Sequence, residues 1–291
     1  MTIKKNELFN IMTIVLFSFS YAQDLFPRST ANNQIVHRKG YSLSYSEAHE
    51  QPDWVYYELT LAEVNGNYPR KDNFREDLSI YTGSASLKDY KGSGLDRGHL
   101  APAADMKWSQ QAMSESFLMS NMSPQNPGFN RGIWKRLESQ VRQWALENGS
   151  IHVVTGGVLT SSSDFIGFNK VAVPKFFYKI VLDYNSTDIK GIGFLIPNNK
   201  SSKPIQNYVV SIDKVEEVTG IDFFYKLPDS IEDKIENKSD ISKWSFKLKK
   251  LSENKNFSSL RCIGITKNGA QCKRKTKNRN RYCYHHQNQI N

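Results

Sequence analysis

Residues 92–138 read GSGLDRGHLAPAADMKWSQQAMSESFLMSNMSPQNPGFNRGIWKRLE. Near the start, Asp96, Arg97, Gly98 and His99 form a short polar run preceded by Gly92 and Gly94. Glycines there permit tight turns and close approach by another backbone or a ligand. An imidazole with an ordinary pKa of about 6.5 is a natural proton acceptor near neutral pH. Asn121, Asn126 and Asn130 follow at intervals, and neutral amide oxygens suit a hard cation such as Mg²⁺. Asn130, Trp134, Glu138 and Arg142 are spaced by four. That spacing predicts one face of a helix beginning near Asn130, with Arg142 within reach of Glu138. Ile133, Leu137, Val141 and Ala145 form an apolar stripe beside this row, and Gly149 is placed to end the helix. A plainer reading also fits: Asn130 caps the helix and Glu138 is a surface acid.

Working outward, WVYYEL at 54–59 alternates like a half-buried strand. Segments 151–159, 176–184 and 190–198 are further strand candidates bounded by Gly, Pro and Asn. Helices are expected at 109–119 and at 209–219, the latter closed by Gly220. One α+β domain over about 41–227 follows, with a polar stretch at 229–258 that reads as a linker or a solvated helix. The chain has 291 residues, 12% of them aromatic and 23% charged, so it is long enough to bury a core and is not wholly disordered. No run of eighteen apolar residues occurs, which argues against a multi-span membrane protein and for a mature chain without a transmembrane span. Residues 1–22 read as a signal peptide. Lys4 and Lys5 precede an apolar stretch at 11–19, and Ser20 and Ala22 are small residues at the cleavage positions. Export to the periplasm or medium is expected, with the mature chain starting at Gln23.

The central stretch resembles the DNA/RNA non-specific endonuclease family, which includes mitochondrial endonuclease G and secreted bacterial sugar-non-specific nucleases. The resemblance is carried by DRGH at 96–99, Ala101-Pro102, Ser120-Asn121, Pro124-Gln125, and Asn130 ahead of Trp134, Leu137 and Glu138. FREDLSI at 74–80, TGGVL at 155–159, the stretch 174–179 and VTGIDFF at 218–224 extend it over roughly 38–228. It implies a ββα-metal core with a central antiparallel sheet flanked by helices. His99 would be the general base, and Asn130 the direct protein ligand of Mg²⁺ or Mn²⁺. Glu138 would hold metal-bound waters, Arg97 would neutralise the scissile phosphate, and Asn121 would orient the site. An upstream arginine, Arg75 or Arg70, would add a phosphate clamp, with Arg75 preferred. The family's chemistry on DNA or RNA leaves 5′-phosphate ends with little sequence preference, and the resemblance leaves a homodimer open. Two rivals are an inactive nucleic-acid-binding protein and a phosphodiesterase acting on a lipid or other ester. The presence of His99, Asn130 and Glu138 together favours the nuclease.

The last segment, 259–287, holds all three cysteines. Cys262, Cys272, Cys283 and His286 could close a tetrahedral zinc site, with His285 as an alternative ligand. So short a segment needs a staple. One disulfide plus a free thiol is the rival, and export favours it. The net charge of +10 also belongs to this end. Residues 255–291 contain nine Lys and Arg and no acid, whereas 23–254 holds 28 basic and 28 acidic residues. A basic tail of this kind would track phosphates in a salt-dependent way.

Overall fold

Nine strands carry the architecture. β1 (Gln34–His37), β2 (Ser42–Ser46) and β3 (Gln51–Thr60) come first, followed by the short strands β4 (Asp96–His99) and β5 (Met122–Gln125). Then come β6 (Ser150–Gly157), β7 (Phe176–Asp183), β8 (Lys190–Pro197) and β9 (Val209–Val210). Seven of them form one antiparallel sheet in the order β1-β2-β3-β6-β7-β8-β9. β4 and β5 pair only with each other in a separate ribbon. In this computed structural model the described residues are 25–28, 33–160, 164–184, 188–246, 260–266, 268–276, 283, 286 and 289. The expected leader at 1–22 and His285 lie outside them.

Among the described residues the α-helices longer than one turn are α1 (Gln110–Glu115), α2 (Lys135–Asn148), α3 (Ile212–Thr219) and α4 (Asp229–Glu236), of which α2, α3 and α4 pack on the sheet. Side chains alternate across a strand, so each strand feeds two layers. Trp54, Val154, Tyr178, Ile180 and Leu182 face α3 and α4, where they pack with Ile212, Val215 and Ile235. On the opposite face Phe177 stacks on Phe129 at 5.1 Å, and Phe194 stacks on Trp144 of α2 at 6.1 Å. The α2 stripe Leu137, Val141 and Ala145 is fully buried, as its spacing predicts.

Element ends differ from the sequence expectation for local reasons. Val209 and Val210 pair with β8, so α3 starts later, capped by the Ser211 side chain. Gly220 closes α3 in the left-handed region at φ 71°. α1 is capped by Ser109 and stops at Glu115, short of Met119. The expected continuous helix from Asn130 does not form. Phe129–Trp134 is a wide π-type turn in which Gly132 takes φ −108° and ψ −106°, and the regular helix begins at Lys135. Asn130 and Glu138 therefore do not sit on one unbroken helix face.

The chain falls into two compact units, one ending at Trp244 and one starting at Ser245. The first half of the expected linker belongs to the first unit. Ile231 and Ile235, four apart, turn one side of α4 to the core. Trp244 is buried with its ring 4.8 Å from that of Trp144. Two isoleucines and a tryptophan in a polar stretch are enough to dock it.

Candidate active site

The β4–β5 ribbon is built by close approach. Gly98 pairs with Ser123, and a Cβ on Gly98 would lie 2.1 Å from the Gln125 side chain. Gln125 is fully buried, so only glycine lets the two strands close. Ser123 ties the ribbon to the main sheet by donating to Gln51 Oε1 at 2.5 Å, while Gln51 donates to the Ala172 carbonyl at 2.6 Å.

His99, on β4, rests against two aromatic rings. Phe117 meets it edge-on at 4.9 Å and Phe74 lies at 5.5 Å. The Arg97 guanidinium stands over Phe74 at 4.5 Å and the Arg70 guanidinium over Phe117 at 5.1 Å. Two arginines, two rings and one imidazole thus form a continuous chain of contacts. Nε2 of His99 is buried without a hydrogen-bond partner among the described residues, and Nδ1 is the ring nitrogen left accessible. Burial, reinforced by the positive charges of Arg70 and Arg97 and opposed by Asp72, pulls its pKa down to about 3. The imidazole is neutral at physiological pH.

Asp96, at the other end of β4, holds the π-type turn. Its Oδ2 accepts from Asn130 Nδ2 at 2.9 Å and from Arg131 Nε at 2.8 Å, and its Oδ1 accepts from Arg131 Nη2 at 2.5 Å. The Asn130 amide nitrogen is committed, so its Oδ1 is turned away from Asp96 and has no hydrogen-bond partner among the described residues. A fixed neutral oxygen beside a carboxylate is a suitable donor set for a hard divalent cation. Asn126 serves the backbone instead, since its Oδ1 accepts from Gly128 N at 2.8 Å and shapes the turn before Asn130.

Glu138 is half-buried on α2. Burial pushes its pKa up, and Lys179 and Arg142 oppose that rise. Arg142 does not pair with it directly; its ion pair is with buried Asp105 at 2.7 Å, which Tyr57 also contacts at 3.0 Å. Lys179, on β7, is fully buried with its Nζ 4.7 Å from the Trp134 ring. Burial pulls its pKa down, opposed first by Glu138. This lysine comes from a distant strand and carries no local motif, so sequence reasoning missed it.

The other expected residues divide. Asn121 is fully buried and clamps the loop after His99, accepting from Ala101 N and donating to the carbonyls of Ala101 and Ser116, each at 2.9 Å. Arg75, the preferred clamp, gives its Nη1 to the carbonyls of Ser114 at 2.8 Å and Asn73 at 3.2 Å. Arg70 is exposed and contacts the ring that carries His99, whereas Arg75 stitches the backbone. Asp96, Phe74 and Phe117 complete the site without having been assigned a role from sequence.

The second unit gathers the predicted tail ligands. Cys262, Cys272, Cys283 and His286 offer ligand atoms that all lie within 4.8 Å of one another. His286 Nδ1 is 3.5 Å from Cys262 Sγ and 3.3 Å from Cys283 Sγ, and the Cys272 and Cys283 sulfurs are 4.0 Å apart. All three cysteines are buried and none is in a disulfide. Burial alone would raise the Cys262 thiol, but donation from Cys283 N and Gly264 N and contacts to Cys283 and His286 bring it below its ordinary value.

Residues 24–230 match the DNA/RNA non-specific endonuclease family. A nuclease from Syncephalastrum racemosum is 37% identical over 219 residues, covering 67% of this chain and 68% of its own length. A nuclease from Nostoc is 34% identical over 223 residues, covering 72% and 80%. Human mitochondrial endonuclease G is 33% identical over 205 residues, covering 65% and 69%. A crystal structure of an EndoG/EndoGI complex aligns with a TM-score of 0.64 at 30% identity, over 68% of this chain and 89% of that one. Fold and relatives agree on the class, a metal-dependent phosphodiester hydrolase. The chain belongs to the DNA/RNA non-specific endonuclease family.

Asp96→Ala frees both the Asn130 amide and Arg131. The Mg²⁺ concentration for half-maximal nucleic-acid cleavage is expected to rise about 10- to 100-fold, the usual effect of losing a group that orients a metal ligand. A Mg²⁺ titration of the folded variant that matches the parent would overturn this assignment.

Proposed function

We propose that the chain is an exported, Mg²⁺-dependent endonuclease that cuts DNA and RNA with little sequence preference and leaves 5′-phosphate ends. The observation that carries the reading is one four-residue strand: it presents His99 with an accessible Nδ1 at one end, and at the other Asp96, which holds the Asn130 amide. Asn130 Oδ1 would hold Mg²⁺, or Mn²⁺ in its place, with Glu138 accepting from the waters that complete its shell. When bound, the ion stabilises charge developing on the phosphate and on the departing 3′-oxygen.

The chain's own side chains do the rest. A buried Nε2 among aromatic rings suits the N–H of the imidazole, which leaves Nδ1 as the lone-pair acceptor. That nitrogen takes the proton from the attacking water. Arg97 and Arg70 donate to the non-bridging phosphate oxygens. A phosphate between them also offsets the positive charge that depresses His99. Burial, the larger cause, remains, so the imidazole stays neutral in the empty enzyme and a phosphate lifts only the part due to the arginines. Contacts to phosphate and sugar carry no direct base information, which accounts for weak sequence preference.

The test incubates purified protein with plasmid, single-stranded DNA, RNA and phospholipid, with and without EDTA. The nucleic acids are cut, the lipid is not, and EDTA stops cleavage until Mg²⁺ is restored. His99→Ala lowers cleavage about 10²- to 10⁴-fold while binding persists. Arg70→Ala weakens cleavage with little loss of stability. Cleavage by His99→Ala at the parental rate would refute the reading.

We infer export as well, from the leader-like residues 1–22. Protein recovered from the culture medium or periplasm should begin at Gln23, and an intact Met1 would exclude it.

The tail is proposed to hold structural zinc. A tetrahedron with Zn–S bonds of about 2.3 Å has sulfur–sulfur edges of roughly 3.8 Å, close to the 4.0 Å between Cys272 and Cys283. Protein prepared without chelators should carry one zinc per chain. Substoichiometric zinc, or a disulfide in the mass spectrum, overturns the site.

A further inference from the structure

On the sheet face away from the β4–β5 ribbon, α3 and α4 bring three carboxylates together. Asp213, Glu216 and Glu236 each offer an oxygen, and these atoms lie within 4.8 Å of one another. Asp213 and Glu216 are three apart on α3 and so share a face. Glu216 Oε1 accepts from Phe223 N at 2.7 Å, which fixes that side chain against the segment returning from Gly220. Glu236 ends α4 and is only 7% exposed, yet its Oε1 is buried with no hydrogen-bond partner among the described residues. No ion pair among the described residues engages any of the three. Burial and the surrounding acids Glu216, Glu232, Asp213 and Asp222 push the Glu236 pKa up to about 9. Lys214 pairs instead with Glu217, and Arg28 with Asp222 at 3.2 Å.

A buried, unpartnered carboxylate oxygen facing two more carboxylates is costly unless a cation or a proton joins them. We propose that Asp213, Glu216 and Glu236 form a structural Ca²⁺ site. Oxygen ligands without sulfur or imidazole select a hard cation. Three protein carboxylates favour Ca²⁺ over Mg²⁺, which usually takes one or two and keeps its waters. Oxygens within 4.8 Å fit about an ion with bonds of roughly 2.4 Å, and the exposed side at Asp213 leaves room for water to complete six to eight ligands. Glu236 lies past residue 230, where the family match ends. The ion would therefore pin α4 and the segment to Trp244, which runs past the family match, onto the nuclease sheet.

Full-length protein is stripped with EGTA and melted with and without added CaCl₂, alongside Asn130→Ala, Glu236→Gln and Asp213→Asn. Ca²⁺ at a hundredfold excess over Kd should raise the Tm of the parent and of Asn130→Ala alike, on the order of 5 °C or more. Glu236→Gln and Asp213→Asn should lose that rise while still cutting plasmid in Mg²⁺. In EGTA, Glu236→Gln should melt close to the parent, because the neutral amide fills the same space as the carboxyl it replaces. No rise in the parent at millimolar Ca²⁺ overturns the site, as does an undiminished rise in both carboxylate variants. An equal rise with equal Mg²⁺ overturns its assignment to Ca²⁺.

Discussion

Asp96 accepts three hydrogen bonds, one from the Asn130 amide and two from the Arg131 guanidinium. It does so from the first residue of the strand that ends in His99. The β4–β5 ribbon and the turn leading into α2 are separate pieces of backbone, and this carboxylate fixes one against the other. Charge-assisted bonds of this kind are stronger and more directional than neutral ones. The ribbon in turn depends on Gly98 and Gln125 fitting into the same space. A metal-capable amide and a neutral imidazole thus share a frame without either being on a long rigid helix.

The imidazole's environment explains its neutrality. Phe74 and Phe117 touch each other at 5.0 Å, and each carries an arginine as well as the His99 ring. Aromatic faces tolerate guanidinium groups, so two positive charges are held near the base without an acid pairing with Arg97. Burial first, and those same charges second, keep a proton off His99. In a substrate-free site this is a strained electrostatic arrangement, and an incoming phosphate relieves it.

Much of this was legible from sequence. The DRGH, SN and PQ elements fall on β4, on the buried turn at Asn121 and on β5, and the apolar stripe does anchor α2. The spacing of Asn130 from Glu138 misled because Gly132 sits between them at ordinary helical intervals, and only its backbone conformation breaks the helix. The partners of the two upstream arginines were not legible either: Arg75 meets the carbonyls of Asn73 and Ser114, and Arg70 meets Asp72. Phe74, Phe117 and Lys179 are distant in sequence from the helix that carries Glu138 and carry no pattern beyond hydrophobicity or charge. Their juxtaposition is a product of topology, as is the docking of α4 through two isoleucines in an otherwise polar stretch.

Residues 23–254 hold equal numbers of acidic and basic residues, so local grouping rather than net charge matters. Arg70, Arg97 and Arg131 lie about the ribbon, Arg70 paired with Asp72 and Arg131 with Asp96; Asp213, Glu216, Glu232 and Glu236 lie on α3 and α4 beside Lys214 and Lys234. A phosphate backbone approaching the ribbon meets cations, and like-charged acids on α3 and α4 repel both it and one another. Carboxylate burial is concentrated at the α3–α4 junction, where the chain runs on past residue 230, the end of the family match. A cation at that junction would relieve the repulsion where α4 most needs an anchor.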